Sequence, residues 1–184
     1  YHGNSISISS SGTTLAVGAW GHDSYKGTAR VYRYASSSWG QIGEDLDGKA
    51  ADDYQGWSVS LSSNGLTLAV GAYGHDSNKG TVRIYNIEAE KSGSANRGTV
   101  TLNSQSSNWT QIGNDIDGSG SSSDSSGERW SSTLDGEAGD KQGYSVSISS
   151  DGITLAVGAL GHDNNKGTIR AYSLVNDCLL YTSD

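Results

Sequence analysis

The stretch "TLAVGAYGHDSNKGTVRIY", residues 67–85, is written three times in this chain: it reads "TLAVGAWGHDSYKGTARVY" at 14–32 and "TLAVGALGHDNNKGTIRAY" at 154–172. Repetition at a regular period marks an architecture of stacked units, none of which buries its apolar face alone. His22 and His75 stand 53 residues apart and His75 and His162 stand 87 apart, the surplus of 34 dividing into two insertions of 17. The unit is therefore about 53 residues, and the insertions at 86–108 and 118–133 read as surface loops.

Each unit carries short strand patterns and no helical period. "WSVSLS" (57–62) alternates Trp57, Val59 and Leu61 with serines, and "LAVGA" (68–72) sets Leu68, Val70 and Ala72 on one face. Ala69 and Gly71 leave the other face nearly flat. "TVRIY" (81–85) and "WTQIG" (109–113) complete four strands. Four antiparallel strands per 50 or so residues predict an all-β fold, a partial β-propeller of about three blades. A β-sandwich would not require near-identical repeats. The expected blades are 3–43, 56–113 and 143–174 within a propeller segment of 1–174. Residues 175–184 match no repeat and read either as translated sequence from beyond a boundary or as a C-terminal strand.

Composition narrows the partners. Charged residues are 17% and the net charge is −8, which argues against nucleic acid and against an anionic membrane surface. No run of about 18 apolar residues occurs, so no membrane insertion is expected. The single Cys178 has no internal disulfide partner. An opening of "YHGNSISIS" lies inside a repeat, so the chain reads as a fragment, with further blades or another copy of itself needed to close a ring.

The frame "QGWSVSLSSNGLTLAVGAY" resembles the FG-GAP repeat, named for Phe-Gly before the first strand and Gly-Ala-Pro after the second. Gln55-Gly56, Gln142-Gly143 and His2-Gly3 hold the Phe-Gly place, and Gly18-Ala19-Trp20, Gly71-Ala72-Tyr73 and Gly158-Ala159-Leu160 hold the Gly-Ala-Pro place. The chain has no Phe and no Pro, but keeps the glycines that packing needs. The resemblance implies an integrin-α-like propeller of the kind found in surface proteins, hence an extracellular or cell-surface location. In integrin-type blades an Asp-rich calcium loop joins the first two strands. Here that join is "SSGT", "SSNG" or "SSDG", so the calcium site is not carried over.

Carboxylates cluster instead in the segments that lead into a blade: Glu44, Asp45, Asp47, Asp52 and Asp53; Asp115 and Asp117; Asp135, Glu137 and Asp140. Asp-x-Asp-Gly on a tight turn can supply oxygens to calcium, and it is also ordinary turn chemistry. Asp45, Asp47, Asp52, Asp53, Asp115, Asp117, Asp135 and Asp140 are therefore the calcium candidates, set against a plain turn role. The His-Asp pairs at 22–23, 75–76 and 162–163 read as hairpin turns, each set by the Asp side chain and a following Lys-Gly. Arg30, Arg83 and Arg170, each two residues before a Tyr, read as packing groups paired with carboxylates rather than as a ligand ledge. Trp39 and Trp109 read as wedges between blades, and Asn108-Trp109-Thr110 is a glycosylation sequon.

Catalysis needs one constellation, and every conspicuous group here comes in copies. The expected role is a non-enzymatic interaction or adhesion scaffold with a protein or glycan ligand. The alternative is a lectin-like, carbohydrate-binding propeller assisted by calcium.

Overall fold

The computed structural model describes residues 2–87, 108–112, 115–117, 138–175 and 178–181. Nearly all of both predicted insertions lies outside them, as do Asp135 and Glu137. The first sheet comprises β1 (Ser5–Ile8), β2 (Thr14–Ala19), β3 (Thr28–Ala35) and β4 (Ser38–Gln41), with β5 (Leu46–Asp47) on the edge of β3 beyond β4. The second repeats this order with β6 (Ser58–Leu61), β7 (Thr67–Ala72), β8 (Thr81–Ile87), β9 (Trp109–Gln111) and β10 (Ile116–Asp117). The third holds β11 (Gln142–Ile148), β12 (Thr154–Ala159), β13 (Thr168–Val175) and β14 (Cys178–Tyr181). All strand pairings within the three sheets are antiparallel, and the central pair keeps one register: Ala19 faces Thr28, Ala72 faces Thr81 and Ala159 faces Thr168. The fold is a partial β-propeller of three blades.

One detail differs from the expectation, and one falls on the second of the two readings given for the tail. The fourth strand is followed in blades 1 and 2 by a two-residue strand, β5 or β10, so those sheets are five-stranded. The tail supplies β14, in the place the fourth strand takes in the other blades.

The core lies between blades, because each "TLAVGA" strand has a large face and a small one. Leu68 and Val70 of β7, with Val59 and Leu61 of β6, pack against Ala16, Ala29 and Val31 of blade 1. The small face of the same strand carries Ala69, which packs with Val82 and Ile84 against Leu155, Val157 and Tyr172 of blade 3. Trp109 is buried in the first of these cores, as the wedge reading requires. Trp39 is a correction: it is 45% exposed against Tyr34, because its face of blade 1 meets no other blade among the described residues.

The glycines set how near the sheets come. A methyl group on Gly18 would lie 1.9 Å from the Gly56 carbonyl oxygen, and one on Gly71 would lie 2.1 Å from that of Gly143. Gly56 and Gly143 have φ of +79° and +81°, a region that excludes most side chains. The Gln-Gly pair of one blade thus lies on the Gly-Ala strand of the blade before it.

The His-Asp hairpins also have a different cause from the one expected. Asp76, Ser77 and Asn78 are successive left-handed residues at φ 46°, 59° and 65°, a conformation that small polar side chains tolerate. The turn closes through main-chain bonds, Lys79 N–H to Asp76 O and Gly80 N–H to His75 O. The Asp76 carboxylate instead takes the Lys79 ammonium at 2.7 Å.

Gly71→Ala should force the seam between blades 2 and 3 apart and lower stability by about 1–3 kcal/mol. Urea unfolding measures this, and an unchanged midpoint would contradict the packing described.

Candidate functional site

The segment 48–56 runs between blades 1 and 2, its backbone on blade 1 and its polar side chains in blade 2. Gln55 N–H bonds to Lys26 O at 3.1 Å, which lays the strand beside Gly27. Asp53 is buried, and its Oδ2 accepts the N–H groups of Lys49 (2.8 Å) and Ala50 (3.1 Å). Its Oδ1 accepts Nδ1–H of His75 at 2.9 Å. Arg83, on β8 and 1% exposed, donates Nη1–H to Gln55 Oε1 at 2.6 Å and Nε–H to Asp115 Oδ2 at 2.9 Å, with Nη2 3.7 Å from Asp53. Gln55 Nε2–H bonds to the Tyr85 hydroxyl at 3.1 Å, and Lys49 and Gln111 complete the shell of Asp115 at 2.8 and 2.9 Å.

Electrostatics follow from these contacts. Burial pushes the Asp53 carboxyl up, but the bonds from His75, Lys49 N–H and Ala50 N–H outweigh it and hold the group below the usual carboxylate range. Burial likewise opposes, and Lys49, Arg83 and Gln111 overcome, the shift at Asp115, whose carboxyl is also lowered. The hub recurs in blade 3, where His162 meets Asp140 at 3.1 Å, Arg170 bonds Gln142, and Arg170 Nη2 lies 3.6 Å from Asp140. In blade 1 Arg30 grips Asp45 with Nε and Nη2, and Gln41 adds a third bond. The Arg30 contact comes first in lowering the Asp45 carboxyl, against a smaller opposing effect of burial. Each repeated arginine therefore meets a carboxylate.

The calcium candidates divide accordingly. Asp53, Asp115 and Asp140 turn their oxygens to N–H donors and cationic side chains, a donor set that does not fit calcium. Asp52 is exposed, with the Tyr54 hydroxyl at 3.5 Å. Asp117 lies on β10, paired with Thr81, and Asp135 is outside the described residues. His22, Asp45 and Asp47 come together with ligand atoms within 4.8 Å of one another. Two carboxylates and an imidazole fall short of the six to eight oxygens calcium takes.

A surface that the sequence reading did not single out crosses both seams. Trp20 lies 5.9 Å from Tyr25, 5.9 Å from Tyr54 and 5.4 Å from Trp57, measured between ring centroids. Tyr73 stacks on Tyr54 at 4.9 Å, and Trp57 and Tyr73 both meet Tyr144, at 5.4 and 5.7 Å. All six rings are partly or well exposed. The signal was present: Trp20 and Tyr73 hold one repeat position, the place of the missing Pro, and Trp57 and Tyr144 hold another.

Arg83→Ala should cost about 3–5 kcal/mol, because it leaves two buried carboxylates without their shared cation. The wild-type protein should lose stability in acid with a defined sign. The lowered carboxyls of Asp53 and Asp115 contribute fully above the ordinary Asp value of about 3.9 and lose that contribution as the pH falls through their folded values. Thermal unfolding of wild type, Arg83→Ala and Asp115→Asn from pH 7 to pH 2 tests both points. A flat wild-type profile below pH 4 would contradict them.

The model of the FG-GAP repeat matches residues 46–85 and 133–172. No curated protein sequence matches the chain. The crystal structure of TolB from Acinetobacter baumannii is similar with a TM-score of 0.45 and 10% identity, over 98% of this chain and 32% of that one. The chain thus spans about a third of the length of that structure. The two matched segments each run from the lead-in carboxylates through the repeated strand pair to the Arg-x-Tyr that anchors the hub, and each of them matches the FG-GAP repeat.

Proposed function

We propose that this chain is a non-enzymatic interaction or adhesion scaffold, part of a larger extracellular or cell-surface protein. One observation carries the reading: the repeated acids and bases are paired with each other at the seams, while the exposed groups that continue from blade to blade are aromatic rings. Partly exposed Trp and Tyr are the side chains that most often anchor a partner, since they bring large area at small entropic cost. FG-GAP repeats are typical of extracellular proteins, which favours the location.

The same ribbon supports a second reading, a carbohydrate-binding propeller. Trp20, Trp57 and Tyr73 form a connected apolar platform with Tyr54 and Tyr144 hydroxyls along it, the mix of faces and polar tips that suits a sugar ring.

Attachment of the immobilised chain to extracellular-matrix proteins and to a polysaccharide panel, with calcium and with chelator, tests the proposal. Trp57→Ala and Tyr73→Ala should each lower attachment about tenfold or more, as the loss of an aromatic anchor does, with thermal unfolding monitored alongside. Attachment to matrix proteins supports the scaffold, and attachment to polysaccharide alone supports the second reading. Attachment that survives both substitutions, or turnover of a substrate, contradicts both.

A further inference from the structure

We propose that the seam between blades 1 and 2 holds a single binding site for an alkylated ammonium group, built from Tyr25, Tyr54 and Asp52 beside Trp20. This deepens the reading of the aromatic ribbon as a recognition surface and rests on it. It names the chemistry taken at one place along that ribbon.

The two internal seams share a backbone and differ in these side chains. Tyr54 N–H bonds Tyr25 O at 3.0 Å in the first seam, and Lys141 N–H bonds Asn78 O at 2.8 Å in the second. Tyr25 therefore stands where the other copies have Asn78 and Asn165. Tyr54 and Asp52 stand where the second seam has Lys141 and Gly139. The paired acids and bases of this chain recur from blade to blade, whereas this group of side chains occurs once, as a site for one ligand does.

The backbone gives a second reason. Tyr25, Asp52 and Tyr54 have φ of 60°, 62° and 56°. This left-handed region suits Asn, which adopts φ of 65° and 66° at positions 78 and 165, and it is unfavourable for a bulky side chain. Strain of this kind collects at binding sites, where the surroundings impose it. Burial within the chain does not offset it at Tyr25, which remains 45% exposed.

Geometry and charge select the ligand. Tyr25 lies 5.8 Å from Tyr54 and 5.9 Å from Trp20, and Trp20 lies 5.9 Å from Tyr54, between ring centroids. Tyr54 is tilted by 50° to Tyr25 and by 56° to Trp20, so the rings meet as a corner rather than a stack. Their faces carry the negative part of the ring quadrupole. The exposed Asp52 carboxylate lies 3.5 Å from the Tyr54 hydroxyl, and exposed Asp23 stands two residues before Tyr25 in the same turn. In the equivalent turns Asp76 and Asp163 hold Lys79 and Lys166 at 2.7 Å, but Asp23 and Asp52 pair with no cationic side chain among the described residues. Ring faces beside carboxylates that lack a counter-charge favour a cation and repel an anion. A metal ion needs several converging ligands, and Asp23 and Asp52 belong to no such cluster among the described residues. An ammonium whose charge is spread over methyl groups needs no hydrogen-bond acceptor, so it can rest on the rings with the carboxylates alongside.

Titration of the chain with choline chloride, followed by NMR through the ring signals of Tyr25, Tyr54 and Trp20, tests this. Choline should shift these signals saturably, and its uncharged carbon isostere, dimethylbutanol, should bind about threefold more weakly or worse. Tyr25→Asn and Asp52→Asn should each weaken choline binding by about threefold or more. Both should keep the wild-type far-ultraviolet circular dichroism, because Asn tolerates the left-handed backbone. Co-sedimentation with phosphatidylcholine vesicles tells the sources apart: sedimentation that both variants lose assigns a lipid headgroup, and choline binding without sedimentation assigns a free small molecule. Equal binding of choline and dimethylbutanol, or choline binding unchanged in both variants, would overturn the proposal. Methyl glucoside shifting these rings more than choline does would overturn it in favour of the carbohydrate reading. Absence of choline binding with attachment still dependent on Trp57 and Tyr73 would sink this inference alone, and choline binding without any such attachment would sink the scaffold reading alone.

Discussion

Everything in this structure depends on how closely the backbone of one blade approaches the backbone of the last. Where Gly56 lies on Gly18, and Gly143 on Gly71, there is no room for a β-carbon. That approach lets the large face of one "TLAVGA" strand sink onto the small face of its neighbour. The same approach brings first-strand amides within reach of serine hydroxyls on the previous blade. Apolar burial is the larger force, and the glycines decide where it can act.

A seam this close has to accommodate the polar segment that enters each blade. Asp53 accepts the Lys49 and Ala50 amides, Gln55 accepts an Arg83 N–H, and the Asp140, Gln142 and Arg170 contacts repeat part of the pattern in blade 3, while Arg83 Nη2 and Arg170 Nε make no hydrogen bond among the described residues. Such pairs contribute little net stability over an apolar equivalent, yet losing one member strands the rest. Their repetition explains why acids, bases and amides recur at the same places: each seam calls for the same polar contacts. The exposed side chains that run on from blade to blade are aromatic.

The architecture was legible because its causes are local and repeated. Strand alternation in "WSVSLS", the flat face made by Ala69 and Gly71, and the 53-residue period each state one geometric fact, and together they specify stacked four-stranded units. The site was less legible. Asp53 and Asp52 are adjacent in sequence, and only the fold buries one beneath His75 and Arg83 while leaving the other exposed. The aromatic ribbon was legible only as recurring repeat positions, for a similar reason. Trp20, Trp57 and Tyr144 come from different blades, and their proximity arises from stacking that no single repeat encodes. Trp39 and Trp109 occupy one repeat position with opposite burial, because burial there depends on a neighbouring blade rather than on the residue.

The central claim is that the seams, rather than the sheets alone, hold this fold together. Amide hydrogen exchange tests it most directly at Val59, Leu61 and Ile148, whose N–H groups point out of their own sheets to serines of the preceding blade. The account predicts that these three exchange as slowly as amides in the middle of β7, because they are released only when the blades come apart. Exchange at the rate of the exposed loops, with β7 still protected, would mean that the blades fold as independent sheets, and would contradict it.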